Sequence, residues 1–134
     1  YYDIDPKKTR ILGTGQWDAT GIGSEPALVG GWFAAPAKKK RQNFVQQYTE
    51  MYAASPSRLA TLAYDATALA AVFVRSDGRF DVSEITAPQG FAGRDGIFRF
   101  HPEGYAERGL SIQQVRERST RVIQRAPSSF QAAN

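Results

Sequence analysis

Residues 55–76, SPSRLATLAYDATALAAVFVRS, constrain this chain more than any other stretch. Ser55 suits an N-cap, because its hydroxyl can accept from a free amide of a first helical turn, and Pro56 suits the first helical position, where an amide would be unpaired anyway. The spacing then predicts a helix in which Leu59, Leu62, Ala63, Ala66, Leu69, Ala70 and Phe73 share one face. The opposite side carries Ala60, Ala68, Ala71 and Val72, so the helix is apolar nearly all round. Such a helix is buried on more than one side, and its alanines let a sheet or another helix come close. Asp65 lies in the middle of it and is expected as a buried acceptor for backbone amides or a Tyr hydroxyl, or as the partner of an Arg, rather than as a catalytic group.

The flanking patterns supply the rest of an α/β domain. Arg10–Leu12 is a short apolar burst between turn signals, consistent with a buried strand, and GTGQWDATGIGSEP after it is a glycine-rich loop. Ser24, Glu25 and Pro26 suit one helical turn. LVGGWFAAP, residues 28–36, has strand length, and Gly30 and Gly31 within it mark a bulge or the close approach of another backbone. From Ala37 to Ala53 the period is helical, with Phe44, Val45, Tyr48, Met51 and Tyr52 on one stripe. Asp81-Val-Ser-Glu84 has the form of a capping box and predicts a short helix to about Ala87. PQGFAGRDG reads as a loop, IFRF as a half-buried strand, HPEGYAERG as a turn region, and LSIQQVRE and TRVIQRA as two strands joined near Arg118-Ser119.

A length of 134 residues corresponds to one domain or part of one, and its longest apolar run, Leu69–Val74, is far short of the roughly 20 residues that span a bilayer. Cysteine is absent, which removes disulfides, thiolate metal sites and Cys nucleophiles together. The net charge is +4, with the surplus concentrated at Lys38, Lys39, Lys40, Arg41 and in the segment Arg108–Arg125. That surplus reads as a solvated helix start and exposed strand faces, so no nucleic-acid partner is expected. The basic cluster sits in a first helical turn, where the helix dipole disfavours cations. Met51 is the only methionine and the chain opens on YYDIDPKK, so it is expected to begin inside a larger protein.

No constellation for catalysis stands out. Gly13 and Gly15 begin a G-x-G-x-x-G pattern, but the third position is Asp18, whose carboxylate would repel a phosphate. His101 is the lone histidine, beside Pro102 in a turn, and reads as a surface residue. Asp95 and Glu103 lie in loops and read as turn caps. The best contact for a small molecule is Trp17, in the loop after the first strand, because ligands of open α/β sheets lie beyond the carboxyl ends of strands. Packing of Trp17 on its own loop is an equal alternative.

Taken in order, ILGTGQWD, LVGGWFAAP, a helix, PSRLATLAYDATALAA and GFAGRDGIFRFHPEGYAERGLSIQQV are similar to the carboxy-terminal part of type I periplasmic binding proteins. The likeness is to the branched-chain-amino-acid-binding kind, which includes the envelope lipoproteins known as penicillin-binding protein activators. Tyr64-Asp65-Ala66 with the upstream Pro56, and Gly93, Gly96, Phe98, Phe100 and Gly104 in a G-x-x-G-x-F-x-F-x-x-x-G pattern, carry the resemblance.

The resemblance implies two α/β lobes joined by crossing strands around a ligand cleft, of which this chain is the last third, incomplete as a domain. Residues 1–36 would be second-lobe strands, with a crossing near Pro36; residues 37–90 would be helices, mainly of the first lobe; residues 91–134 would be terminal strands and hinge. The main partner of the 55–76 helix would then be an upstream part of the same polypeptide, and copies of this segment alone would associate through the uncovered face. The implied function is a non-catalytic receptor, without metal or cofactor, in the periplasm or cell envelope of a Gram-negative bacterium. It would carry an amino-acid-like ligand to an ABC permease; the alternative is an envelope lipoprotein that regulates peptidoglycan synthesis by binding a penicillin-binding protein, a peptidoglycan synthase. In such receptors the loop after the first strand supplies a carboxylate for the ligand ammonium, and here it offers Gly15, the neutral Gln16 and Trp17, with Asp18 one or two places late. A further contact falls at Leu59, where an aromatic is common.

Overall fold

The computed structural model describes residues 8–19, 21–76 and 81–130. They form two compact units. Unit 1 holds the described residues up to Ala35 together with Leu110–Ala126, and unit 2 holds those from Pro36 to Gly109 and from Pro127 onward. The chain therefore passes between units at Pro36, and again at Leu110 and at Pro127. Residues 91–134 do not travel as one block, since those up to Gly109 lie with the helices and 110–126 join the early strands.

Unit 1 is a four-stranded sheet in the order β1-β2-β6-β7, from β1 (Leu12–Gly13), β2 (Trp32–Ala35), β6 (Ser111–Arg116) and β7 (Ser119–Gln124). β1 runs parallel to β2, and the other pairs are antiparallel. Side chains alternate across a strand, so Phe33 and Ala35 of β2 share a buried face with Ser111, Gln113 and Val115 of β6. Trp17, Ile22 and Leu28, from the loop between β1 and β2, close over that face. Its polar members are satisfied internally. The Ser111 hydroxyl donates to the Ala35 carbonyl at 2.8 Å, and the Gln113 side-chain oxygen accepts from the Thr120 hydroxyl at 3.1 Å. β2 is shorter than the predicted 28–36 strand, because Pro26–Leu28 closes a 3-10 turn and Gly30 takes φ +90° before the strand begins.

Unit 2 carries α1 (Lys38–Tyr52), α2 (Ala60–Ser76), α3 (Val82–Ile85) and a meander of β3 (Phe91–Gly93), β4 (Gly96–Phe100) and β5 (Ala106–Arg108). α1 follows the predicted helical period, but only Phe44 of its stripe is buried, while Met51 and Tyr52 are exposed. α3 begins at an Asp81 cap, whose carboxylate accepts from the Ser83 hydroxyl and amide at 2.8 Å each. Those bonds, the hydroxyl first, hold the Asp81 carboxyl below its ordinary pKa. Two strands fall in segments that read as loop and turn. β3 lies inside PQGFAGRDG and β5 inside HPEGYAERG, each only three residues long and dependent on β4 for its hydrogen bonds.

α2 departs from its sequence pattern in two ways. It begins at Ala60 rather than Pro56, after a turn in which the Ala60 amide bonds the Ser57 carbonyl. Its inward row is Thr61, Asp65, Leu69 and Phe73. Leu69 and Phe73 belong to the predicted apolar face, but Thr61 and Asp65 turn inward in the first half of the helix, and Leu62, Ala63 and Ala66 are exposed. Tertiary hydrogen bonds set both features. The Thr61 hydroxyl donates to Asp95 Oδ2 at 2.7 Å, and Asp65 Oδ1 accepts from the Arg94 amide at 2.8 Å. One turn apart on α2, these two side chains hold the two-residue turn Arg94-Asp95 that joins β3 to β4. Arg58 and Arg108 add ionic partners, 3.5 Å from Asp95 Oδ2 and 3.7 Å from Asp65 Oδ2. Asp65 is thus the buried acceptor its place in an apolar helix predicts.

Gly93 lets that carboxylate approach, since a Cβ there would lie 2.3 Å from Asp65 Oδ2. Gly93→Ala is expected to cost about 1–3 kcal/mol in urea unfolding, as overpacking does. In an Asp65→Ala background the added cost should shrink sharply, because the clashing group is gone; full additivity would refute the contact.

Candidate functional site

β1 and β2 are parallel neighbours, so the loop after Gly13 leaves from the carboxyl end of a parallel strand, where α/β folds place ligands. Thr14 starts that loop. Its hydroxyl accepts from the Gln16 amide at 3.4 Å, and its carbonyl accepts from the Trp17 amide at 3.0 Å, closing the 3-10 turn Gly15–Trp17. The Asp18 amide then bonds the Gly15 carbonyl.

The structure therefore places Gln16, Trp17 and Asp18 together on one tight turn. Gln16 is exposed, and Asp18 is half-buried. Trp17 is half-buried and lies over two glycines: a Cβ on Gly13 would come 2.1 Å from Trp17 Cδ2, and one on Gly31 2.8 Å from Cζ3. Its ring meets Phe33 at 6.2 Å between centroids, tilted by 56°. Trp17 accordingly anchors the turn to the sheet, and this contact fixes where its two polar neighbours stand. Leu59 belongs to unit 2. It precedes the first residue of α2, its carbonyl accepts from the amides of Leu62 and Ala63, and its side chain is 66% exposed.

Unit 2 also has an open groove of about 630 Å³ between α1 and α2, walled by Phe44, Tyr48, Tyr52 and Tyr64. Arg94 closes one side, with its guanidinium 4.8 Å from the Tyr64 ring centroid and Nη2 donating to the Tyr64 hydroxyl at 2.9 Å. The groove has ligand dimensions, yet neither Leu59 nor any residue of the Gln16–Asp18 turn lines it.

His101 is not the isolated surface residue its sequence context suggests. β4 and β5 pair Arg99 directly with Glu107, and the turn between them folds His101 back onto the same carboxylate. Glu107 Oε2 accepts from Arg99 Nε at 2.8 Å and Nη2 at 2.7 Å, and from His101 Nε2 at 2.9 Å. A carboxylate only accepts, so Nε2 carries the proton of that bond. The imidazole stacks on Tyr105, centroids 4.3 Å apart and planes at 13°. No local pattern signalled the Arg99–Glu107 pair, because AER is too short to carry a period and becomes a strand only by pairing with β4. Among the described residues no group of three or more His, Cys, Asp or Glu is placed to hold a metal, and no helix is long and apolar enough to cross a membrane.

The hydrogen bond from His101, followed by that from Arg99, holds the Glu107 carboxyl below its ordinary pKa. A lowered carboxyl pKa means that the cluster's contribution is complete above the ordinary carboxylate range and is lost as pH falls through the lowered value. A carboxylate NMR titration should place the Glu107 midpoint below that of an unperturbed glutamate, and His101→Ala should move it upward. A midpoint that does not respond to His101→Ala would contradict the bond.

The fold has known counterparts. The chain aligns with a protein described as a branched-chain amino acid ABC transporter from Rhodospirillum rubrum at 27% identity and a TM-score of 0.66, over 85% of this chain and 37% of that one. A leucine binding protein from Thermotoga maritima aligns at 26% identity and 0.54, over 84% and 36%. A solute binding protein of an R. palustris ABC transporter, solved in complex with benzoate, shares the fold at 18% identity and 0.54, over 90% and 36%. No protein-family model and no curated protein matches the chain. The fold is that of type I periplasmic binding proteins, over the stretch that corresponds to their carboxy-terminal portion. The chain spans little more than a third of the length of these neighbours.

Proposed function

We propose that this chain is part of a non-catalytic solute receptor of the cell envelope that delivers an amino-acid-type ligand to an ABC permease. The observation that carries the reading is the agreement of fold with two solute-binding neighbours at 26–27% identity, together with a polar turn anchored at the carboxyl end of a parallel strand. In this reading Gln16, Trp17 and Asp18 contact the ligand from the loop after β1. Asp18 supplies the carboxylate for the ligand ammonium, and Trp17 holds it in place. The exposed apolar side of α2, with Leu62 37% and Val72 63% accessible, is covered in the whole polypeptide by its upstream part. The same fold as an envelope regulator of peptidoglycan synthesis is the second reading. It is favoured by the neutral Gln16 at the expected carboxylate position and by the exposed Lys39 and Lys40 at the head of α1, which suit a protein surface better than a small zwitterion.

Calorimetry of the protein from its complete open reading frame against the common amino acids decides between them. One member should bind with a dissociation constant of about 10 μM or tighter, near −7 kcal/mol. Asp18→Asn should weaken it about tenfold or more, in keeping with loss of a charge-assisted hydrogen bond. Silence across the panel would exclude transport of this ligand class and leave the regulator. When residues 1–134 are produced by themselves, light scattering should find association, and Leu62→Glu with Val72→Glu should restore the monomer.

A further inference from the structure

After β7 the chain returns to unit 2 and is held there at two points. Pro127 seats on Gly109, where an added Cβ would lie 3.0 Å from Pro127 Cγ and 2.5 Å from Ile97 Cγ1. Phe130 takes the other point. The Arg99 guanidinium carbon stands 4.6 Å from its ring centroid, and a Cβ on Gly90 would come 3.0 Å from Phe130 Cε2. Neither seat has room for a side chain, and Gly90 has φ +65°, which a side chain would strain. Arg99 is set independently of Phe130: Glu107 takes Nε and Nη2, and the Pro88 carbonyl accepts from Nη1 at 3.1 Å. The cation that meets the ring is therefore oriented in advance, so little freedom is lost when the ring docks.

The positions of the seats along the chain give them their meaning. Gly109 is the last residue of unit 2 before the chain passes into β6, and Pro127 is the first on its return. Their contact joins the outgoing and the returning chain at one spot on unit 2.

We propose that residues 127–130 are a strap: Pro127 clasps the two passages together at Gly109, and Phe130 on Arg99 locks the strap in place. Clasp and lock both lie within unit 2, so the returning chain is fixed to that unit from Pro127 to Phe130. Arg99 acts here as a positioning residue, aimed by Glu107 and Pro88 at the ring. The role concerns how the chain is tethered and is independent of which ligand is bound.

Trypsin reads the strap directly, because Arg125 lies exposed between β7 and Pro127. Cleavage there requires the neighbouring backbone to come free, so its rate tracks opening of the strap. In the protein from its complete open reading frame, Phe130→Ala and Arg99→Ala should speed cleavage after Arg125 about tenfold, the scale expected from losing one such contact. Phe130→Leu, which keeps bulk without an aromatic face, and Arg99→Lys, which keeps charge without the fork, should fall between. Cleavage after Arg121, inside the β6–β7 ladder, should not change in any of them. Hydrogen exchange of the amides at 128–130 should accelerate in parallel in Phe130→Ala. An unchanged rate at Arg125 in Phe130→Ala overturns the strap, and so does equal acceleration at Arg121, which would mean general loosening.

Discussion

Unit 2 is arranged around the buried carboxylate of Asp65 and its bond to the Arg94 amide. A carboxylate taken out of water must recover hydrogen bonds, because an unpaired one costs several kcal/mol. The backbone amide of a tight hairpin turn is a donor whose position is fixed by two strands, and Asp65 accepts from it at 2.8 Å. With that bond made, α2 can lie on the β3–β4 turn in only one rotation. Thr61 then reaches Asp95, Phe73 meets Phe91 edge-on, and Gly93 is the residue whose missing side chain gives the carboxylate room. The Tyr-Asp-Ala and Gly-x-x-Gly elements that carried the family resemblance are the two halves of this single contact.

The same constraint explains why α2 turns polar residues inward and leaves apolar ones outside. Two satisfied hydrogen bonds at the hairpin hold Thr61 and Asp65, and the helix's wider apolar side faces away. In unit 1 a comparable polar pair, Ser111 and Gln113, lies within the sheet's buried face and is satisfied from β2 and β7. Both units thus use buried polar groups to choose one arrangement among several that hydrophobic burial alone would allow. Apolar surface that remains exposed on α2 fits a chain spanning about a third of its structural neighbours.

What could be read in advance depended on how local the determining forces were. α1 was legible because fifteen residues of helical period outweigh a poorly capped and wrongly charged first turn. β6 and β7 were legible because both are six residues long and flank a short turn, and β6 alternates buried and half-buried residues along most of its length. β3 and β5 were not, since three residues beside glycines hold no period and become strands only by pairing with β4. The start of α2 was misplaced for a related reason. Ser55 and Pro56 suit a helix start, but the bond from Thr61 to Asp95, 34 residues away, decides where the first turn forms. Within the candidate site, the grouping of Gln16, Trp17 and Asp18 followed from adjacency in sequence. The seating of Trp17 over Gly13 and Gly31 required the parallel pairing of β1 with β2.

By itself, the sequence determined the α/β class, the extent of α1, the two terminal strands, the buried acceptor role of Asp65 and the likeness to a periplasmic receptor. These rest on periodicity, on residue chemistry and on motifs a few residues long, all present before the chain folds. The tertiary structure alone decided which face of α2 turns inward, that Arg99 and His101 meet on Glu107, and that Phe130 docks on Arg99. Each of those joins groups brought together only by strand pairing and chain return. Their energy depends on a geometry that no local pattern of residues encodes.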